Sequence, residues 1–122
     1  MAQFKILIAD DEEGIREHMV RYMNRHGFEN ILMASKGQEA IAIIGREKPD
    51  FAFLDISLAD SVSGMEVLKQ AHGLSSNTKC IMTSAYDEYR DEAKTLGAWR
   101  YLKKPFRKEM DEVVNSMLEY QK

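Results

Sequence analysis

Short apolar runs alternate with longer amphipathic segments along the chain. Most of the apolar runs are about four residues long, which is typical of parallel strands that are buried on both faces of a sheet. They predict five strands, at residues 4–9, 31–34, 51–54, 80–82 and 99–102. Helical spacing of the apolar residues between them predicts five helices, at residues 13–26, 37–47, 65–72, 87–96 and 107–120. Five such units predict an α/β fold with parallel strands and right-handed crossovers.

Length, charge and cysteine content narrow the class of protein. The chain has 122 residues, so residues 1–122 are expected to form one domain, with no output domain in this chain. A formal net charge of -3 argues against binding nucleic acid or an acidic membrane through bulk charge. A single cysteine, Cys80, excludes an internal disulfide and a cysteine-based zinc site, and its place in an apolar run indicates a small buried hydrophobe.

Hydropathy argues against a membrane protein. The longest unbroken apolar stretch, residues 40–44, is too short to cross a bilayer. The first residues do not show the charged-then-apolar pattern of a signal peptide. A cytoplasmic protein is therefore expected.

Charged and hydroxyl side chains follow four of the predicted strands. They are Asp10-Asp11 after the first strand, Asp55 after the third, Thr83-Ser84 after the fourth and Lys103-Lys104-Pro105 after the fifth. Open α/β sheets bind ligands at the carboxyl ends of their strands, so these groups are expected to share one cleft. Carboxylates, a hydroxyl and an amine together suit a divalent metal and a phosphoryl group.

These residues resemble the receiver domain of two-component response regulators. The matching pieces are Asp10-Asp11, Asp55, Ser84-Ala85 and Tyr101-Leu102-Lys103-Lys104-Pro105-Phe106, and the resemblance covers essentially the whole chain. No piece is specific alone, but all four in order at matching strand ends are highly specific. The resemblance implies a flavodoxin-like, doubly wound sheet of five parallel strands in the order 2-1-3-4-5, with five helices.

The resemblance also implies a magnesium site and a phosphoacceptor. Asp55 would be the nucleophile that takes a phosphoryl group from a phosphohistidine. Asp11, Asp55 and the backbone carbonyl of Ser57 would ligate Mg²⁺ directly, and Asp10 would act mainly through water. The residues themselves favour a cation here, because three close carboxylates repel one another and raise their pKa values without one.

An amine and a hydroxyl complete the implied set. Lys104 is preferred over Lys103 because the lysine of the family directly precedes proline, and in the family that Lys–Pro bond is commonly cis. Ser84 is preferred over Thr83 because the hydroxyl of the family precedes a small residue, here Ala85. Both groups would bind oxygens of the phosphoryl group.

Two aromatic residues and one loop have further implications. Tyr101 lies three residues before Lys104, where the family has an aromatic rotamer switch that works with Ser84. Ser57 and Tyr86 would line the path of water to the phosphoryl group. The chain departs from the usual pattern at Ala59, where proline is common, and its loop to Gly64 is one residue longer than in the commonest members.

Simpler interpretations of single residues remain open at this point. Asp10 could be a helix cap, Asp55 a solvated turn residue, Lys104 an exposed lysine and Tyr101 a half-exposed strand residue. The histidines are scattered without metal-binding spacing.

The implied function is that of a phosphoacceptor signalling domain, which is not an enzyme but catalyses its own phosphorylation and dephosphorylation. Its partners would be a histidine kinase or histidine phosphotransfer protein and a downstream effector protein or domain. The fourth helix, fifth strand and fifth helix would form the surface for the effector or for a homodimer. Direct contact with nucleic acid or a membrane is not expected.

Three other functions compete with this interpretation. One is a receiver-like interaction module that is never phosphorylated. Another is a magnesium-dependent phosphohydrolase with an aspartyl nucleophile, which would want a second aspartate at the position of Ser57. The third is a flavin-binding module, which is disfavoured because residues 10–13 are all acidic and would repel a flavin phosphate.

Overall fold

Strands and helices alternate along the part of the chain that the structure describes. The structure, a computed structural model, describes residues 4–120. The strands are β1 (Lys5–Ala9), β2 (Asn30–Ala34), β3 (Phe51–Asp55), β4 (Lys79–Ser84) and β5 (Arg100–Lys103). The helices are α1 (Glu13–Arg25), α2 (Gly37–Glu47), α3 (Gly64–Leu74), α4 (Arg90–Thr95) and α5 (Lys108–Glu119). The predicted α/β order is confirmed, and residues 1–3 and 121–122 of the predicted domain lie outside the described residues.

The strands form one parallel sheet in the order β2-β1-β3-β4-β5, as the resemblance implied. The chain steps outward from β1 to β2 and then returns past β1 to β3, so the strand order reverses there. Crevices at the carboxyl end of such a reversal are where open α/β sheets bind ligands. The register pairs Ala9 with Leu54 and Asp55 with Thr83. The residues at the carboxyl ends of β1, β3 and β4 therefore lie side by side.

Helices cover both faces of the sheet. Alternate residues of a strand point to opposite faces, so Leu7 and Leu54 pack with α2 and α3 while Ile8 and Phe53 pack with α1 and α5. Cys80 is buried in the first of these layers, and burial raises the pKa of its thiol to about 12. The interpretation of this cysteine as a small buried hydrophobe is confirmed. Within residues 4–120, the helices lack the length and apolar character needed to span a bilayer.

Two expectations from the sequence are wrong. The edge strands β2 and β5 are not buried on both faces: Met33 of β2 is exposed, and so are Arg100 and Lys103 of β5. The fourth helix is shorter than the predicted residues 87–96, because the backbone amide of Arg90 donates to the Asp87 carbonyl at 3.0 Å and closes a turn ahead of the helix.

Candidate functional site

Three carboxylates meet at the carboxyl edge of the sheet. One carboxylate oxygen from each of Asp10, Asp11 and Asp55 lies within 4.8 Å of the others. Asp10 and Asp55 are buried, at 1% and 5% exposure, whereas Asp11 is exposed. This donor set contains only oxygen, is anionic and meets water on the Asp11 side, so it fits a hard cation such as Mg²⁺ that keeps part of its hydration shell.

Lys104 joins the two buried carboxylates. Its Nζ lies 2.9 Å from Asp10 Oδ2 and 2.8 Å from Asp55 Oδ2. The ammonium thereby neutralises part of the negative charge that two adjacent buried carboxylates would otherwise accumulate. The alternative that Lys104 is simply an exposed lysine is wrong.

At the end of β5, the side chain of Lys104 points toward the carboxylate cluster and that of Lys103 points away from it. Lys103 is exposed, with its Nζ 3.9 Å from Asp87 Oδ2. The backbone amide of Lys104 donates to the Ser84 carbonyl at 2.7 Å, which extends the pairing of β4 and β5 by one residue. The Lys104–Pro105 peptide bond is cis, as the resemblance implied.

The electrostatics of the site set the protonation of Asp55. Burial raises the pKa of Asp55 to about 6, and the negative charge of Asp10 adds to the rise. The Lys104 ammonium and the Ser57 amide act in the opposite direction. Burial alone would lower the pKa of Lys104, but its hydrogen bonds to Asp55 and Asp10 raise it. The amine is therefore charged at neutral pH, and a further cation near Asp55 would favour its ionised, nucleophilic form.

Backbone contacts hold Asp55 and Asp10 in place. Asp55 Oδ1 accepts the Ser57 amide at 3.0 Å, and Asp10 Oδ1 accepts the Glu12 amide at 2.9 Å just before α1. Asp10 therefore holds the residue that precedes α1, but it is not the helix cap, because the N-cap position is occupied by Glu12. The alternative that Asp55 is a solvated turn residue is wrong, because the residue is buried.

Ser84 and Tyr101 are connected through the backbone of Tyr86. Ser84 Oγ accepts the Tyr86 amide at 3.0 Å, and the Tyr101 hydroxyl donates to the Tyr86 carbonyl. Both Thr83 and Ser84 are buried, while the Tyr86 residue is 61% exposed. Tyr101 is half-buried. The two hydrogen bonds of Tyr86 therefore connect the buried Ser84 hydroxyl to the Tyr101 side chain on the edge strand β5.

Sequence reasoning missed the contacts that surround Tyr101. The Arg90 guanidinium lies over the Tyr101 ring, with Cζ 4.7 Å from the ring centroid. Its NH1 donates to the Tyr101 carbonyl at 3.3 Å, and its NH2 pairs with Asp87 Oδ1 at 2.8 Å. Nothing in the local pattern signals this contact, because Arg90 and Tyr101 lie on different elements.

Two further residues with a role near the site were also missed. Arg16 on α1 donates from NH1 to the Asp10 carbonyl at 2.7 Å. Asp60, in the loop between β3 and α3, accepts the backbone amides of Gly37 and Gln38 at the start of α2. The sequence signals only that α2 needs a cap from another segment, because Lys36, which precedes α2, has no side-chain acceptor for these amides.

A largely apolar groove of about 540 Å³ borders the site. It lies between the start of α1 and the segment that follows β5. Its walls include Gly14, Ile15 and His18 on one side and Lys104, Pro105 and Phe106 on the other. Lys104, whose amine contacts Asp55, therefore also lines this concave apolar surface.

Comparison with known families gives one match over most of the chain. The family model described as the response regulator receiver domain matches residues 6–115.

Curated relatives show the same similarity. Sporulation initiation phosphotransferase F of Bacillus subtilis is 34% identical over 122 residues, which cover 98% of this chain and 95% of the relative. The alkaline phosphatase synthesis transcriptional regulatory protein PhoP of the same organism is 38% identical over 104 residues, but these cover only 42% of that protein.

Solved structures resemble the fold closely. The response regulator TrrA of Thermotoga maritima, in complex with Mg²⁺ and BeF, has a TM-score of 0.84 at 31% identity and covers 94% of this chain and 99% of its own. The receiver domain of AraT from Geobacillus stearothermophilus has a TM-score of 0.85 at 33% identity, over 97% of this chain and 95% of its own.

Proposed function

The chain belongs to the response regulator receiver domain family of two-component signalling, and we propose that Asp55 accepts a phosphoryl group from a phosphohistidine. The donor would be a sensor histidine kinase or a histidine phosphotransfer protein. The observation that carries the proposal is the position of Asp55: it is buried at the end of a central strand, beside two more carboxylates, with Oδ2 2.8 Å from the Lys104 ammonium.

The transfer replaces one phosphorus bond by another. An oxygen of the ionised Asp55 carboxylate attacks phosphorus as the bond from phosphorus to the imidazole nitrogen breaks. The imidazole is already protonated on its other nitrogen in the phosphorylated donor, so it leaves as the neutral ring, and Asp55 becomes an acyl phosphate. Since little other covalent chemistry is needed, the protein contributes mainly positioning and stabilisation of charge.

Lys104 and Ser84 supply positive charge and a hydrogen bond to the transferred group. The Asp55 carboxylate loses its negative charge when the acyl phosphate forms. The Lys104 ammonium is then expected to move from the Asp55 oxygen to a negatively charged phosphoryl oxygen. Ser84 Oγ uses a lone pair to accept the Tyr86 amide. Its own proton is the group that would donate to another phosphoryl oxygen. This chain would therefore catalyse its own phosphorylation, with any donor that fits.

Magnesium would be held by Asp10, Asp11 and Asp55 together with the Ser57 carbonyl. The fit rests on the three carboxylate oxygens that already cluster within 4.8 Å. When bound, the ion supplies positive charge that balances the carboxylates and a phosphoryl oxygen. Asp11 is the exposed member, so it is the side chain that would meet an arriving hydrated ion first.

Access of the donor is supported by the apolar groove beside Lys104. A histidine-bearing helical partner that buries an apolar face in this groove would bring its imidazole toward Asp55. Ile15 and Phe106 in its walls offer apolar contact, and Lys104 offers a cation for the incoming phosphoryl group.

The output would be a population shift at Tyr101. Movement of the Ser84 hydroxyl toward a phosphoryl oxygen changes the Tyr86 backbone, because the Tyr86 amide is bonded to that hydroxyl. The Tyr86 carbonyl accepts the Tyr101 hydroxyl, so the preferred position of the Tyr101 ring changes with it. The surface of α4, β5 and α5 would then bind an effector protein or domain with altered affinity. Ser57 and Tyr86 would control access of water to the acyl phosphate.

Incubation with acetyl phosphate, with and without Mg²⁺, tests the proposal. Mass spectrometry of the intact wild-type chain should show one added phosphoryl group in the presence of Mg²⁺, and Asp55→Asn should remain unlabelled. Labelling that persists in Asp55→Asn would place the acceptor elsewhere. A wild-type chain that stays unlabelled would favour a receiver-like module that acts without phosphorylation.

A further inference from the structure

Helix α2 begins without a capping side chain from its own segment. The residue at the N-cap, Lys36, makes no side-chain hydrogen bond to the helix. Asp60, from the loop between β3 and α3, takes that place: Oδ1 accepts the Gly37 amide at 2.8 Å and Oδ2 accepts the Gln38 amide at 3.0 Å. A carboxylate at this position satisfies two unpaired helix amides and complements the helix dipole.

The charge state of Asp60 agrees with this contact. The hydrogen bond from the Gln38 amide lowers the pKa of Asp60, and the Gly37 and Val62 amides act in the same direction. The carboxylate is thus ionised at neutral pH, when its two oxygens are the best acceptors for the helix amides.

A second hydrogen bond ties the same loop to the segment that precedes α2. The Ala59 amide donates to the Ser35 carbonyl at 3.0 Å. A proline at position 59, common among receivers, has no N–H and could not make this bond. The loop also packs closely on α2, because a Cβ at Gly37 would lie 2.2 Å from the Val62 carbonyl oxygen.

The loop between β3 and α3 begins directly after Asp55, the proposed phosphoacceptor. Its first contact is the Ser57 amide on Asp55 Oδ1, and its end is fixed by the Gly64 amide on the Ile56 carbonyl at 2.9 Å. Asp60 lies between these points, three residues from the Ser57 carbonyl that would face the metal. Its hydrogen bonds therefore limit how far that carbonyl can move.

We propose that Asp60 is a positioning residue, which holds the loop between β3 and α3 against α2 and so fixes the Ser57 carbonyl for Mg²⁺ binding beside Asp55. This inference rests on the proposed function. Mg²⁺ requires near-ideal octahedral geometry, so a ligand on an untied loop binds it more weakly than a fixed one. Asp60 itself does not contact the ion, and its effect is transmitted through the loop backbone.

Calorimetric titration with MgCl₂ measures the effect on the unphosphorylated chain. Asp60→Ala is expected to raise the Kd for Mg²⁺ about tenfold, the low end of the range for loss of a group that orients a metal ligand. Asp60→Asn keeps one acceptor oxygen, so its Kd is expected to rise only about threefold. Amide hydrogen exchange should show faster exchange at Gly37 and Gln38 in Asp60→Ala.

Ile43→Val is the matched control. Ile43 is buried on α2, so the shorter side chain destabilises the same helix while the hydrogen bonds of Asp60 to Gly37 and Gln38 stay in place. Urea denaturation measures the stability of each variant, and the Kd of Ile43→Val is expected to equal that of the wild type. If Asp60→Ala does not fold, the comparison of Asp60→Asn with Ile43→Val decides the question.

The outcomes separate this inference from the proposed function. If the wild type binds Mg²⁺ and Asp60→Ala binds it equally well, the positioning role is wrong and the proposed function stands. A rise in Kd that is the same in Asp60→Asn and Asp60→Ala would show that only the charge of Asp60 matters, and it would also overturn the inference. A wild-type chain without Mg²⁺ affinity would overturn both.

Discussion

Gly64 lies directly against the backbone of Asp55. A Cβ at Gly64 would stand 2.1 Å from the Asp55 carbonyl oxygen and 2.8 Å from its carbonyl carbon. Such distances leave no room for a side chain, so glycine is needed here for close approach of two backbones. The start of α3 is thereby pressed against the end of β3, the strand that ends in Asp55.

Replacement of Gly64 by alanine should separate α3 from β3. Gly64→Ala is expected to lower the free energy of unfolding by about 2–3 kcal/mol, because the obstructing atoms belong to rigid backbone. Urea denaturation at neutral pH measures the change. Gly73→Ala in the same helix is the control: its Cβ would meet no atom within 4 Å, so a gain of about 0.5–1 kcal/mol is expected. Equal stability of the two variants would contradict this role of Gly64.

The raised pKa of Asp55 makes stability depend on pH when Mg²⁺ is removed with a chelator. An aspartate side chain ordinarily has a pKa of 3.8, and the pKa of Asp55 in the folded protein is about 6. Between these values Asp55 keeps its proton in the folded chain but has lost it in the unfolded chain. The contribution of Asp55 to the free energy of unfolding is therefore fully present below about pH 4 and is lost as the pH rises through 6.

Comparison with Asp55→Asn isolates this contribution. The Lys104 ammonium and water at the mouth of the site screen the charge, so the variant is expected to be more stable than the wild type by about 1–2 kcal/mol at pH 7.5. Near pH 4 the two should be equally stable. Thermal and urea unfolding across pH 4–8 provide the measurement, and a difference that does not change with pH would contradict the assignment of the titrating group.

The arrangement of the carboxylate cluster was predictable because it depends on local patterns and one topological rule. Asp10 and Asp55 each follow an apolar run, and parallel strands bring such positions to the same edge of the sheet. The choice of Lys104 over Lys103 depended on the resemblance, since spacing alone leaves both candidates. The structure places the Lys104 amine at the buried carboxylates and leaves Lys103 exposed.

Contacts between segments that are distant in the sequence were not predictable in the same way. The bond of Asp60 to α2 and the stacking of Arg90 on Tyr101 depend on how two separate segments are placed in space. Periodicity carries no information on such placements. The exposure of β5 was missed for a related reason: an apolar run shows that a strand has a buried face, but the position of the strand at the edge of the sheet is set by its neighbours.

Arg90 should stabilise the observed position of the Tyr101 ring. A guanidinium over an exposed aromatic ring contributes about 0.5–1 kcal/mol, so Arg90→Ala is expected to reduce the population of this ring position about two- to fivefold. NMR measurement of the Tyr101 χ1 population, in the free chain and with Mg²⁺ and fluoroberyllate, tests this. Lys94→Ala, on the exposed side of α4, is the control and should leave the population unchanged. The same result for Arg90→Ala and Lys94→Ala would show that Arg90 does not hold the Tyr101 ring in its observed position.

Tyr86 connects Ser84 and Tyr101 through its backbone and presents a large exposed side chain. Its amide is bonded to Ser84 and its carbonyl to Tyr101, so the position of its backbone follows the state of both. We expect Tyr86→Ala to speed loss of the phosphoryl group about three- to tenfold, since removal of the ring opens a path for water and lowers the barrier by up to about 1.4 kcal/mol. Release of labelled phosphate from the phosphorylated chain gives the rate. Tyr86→Phe keeps the ring and should decay at the wild-type rate, while an unchanged rate in Tyr86→Ala would show that the ring lies away from the path of the attacking water.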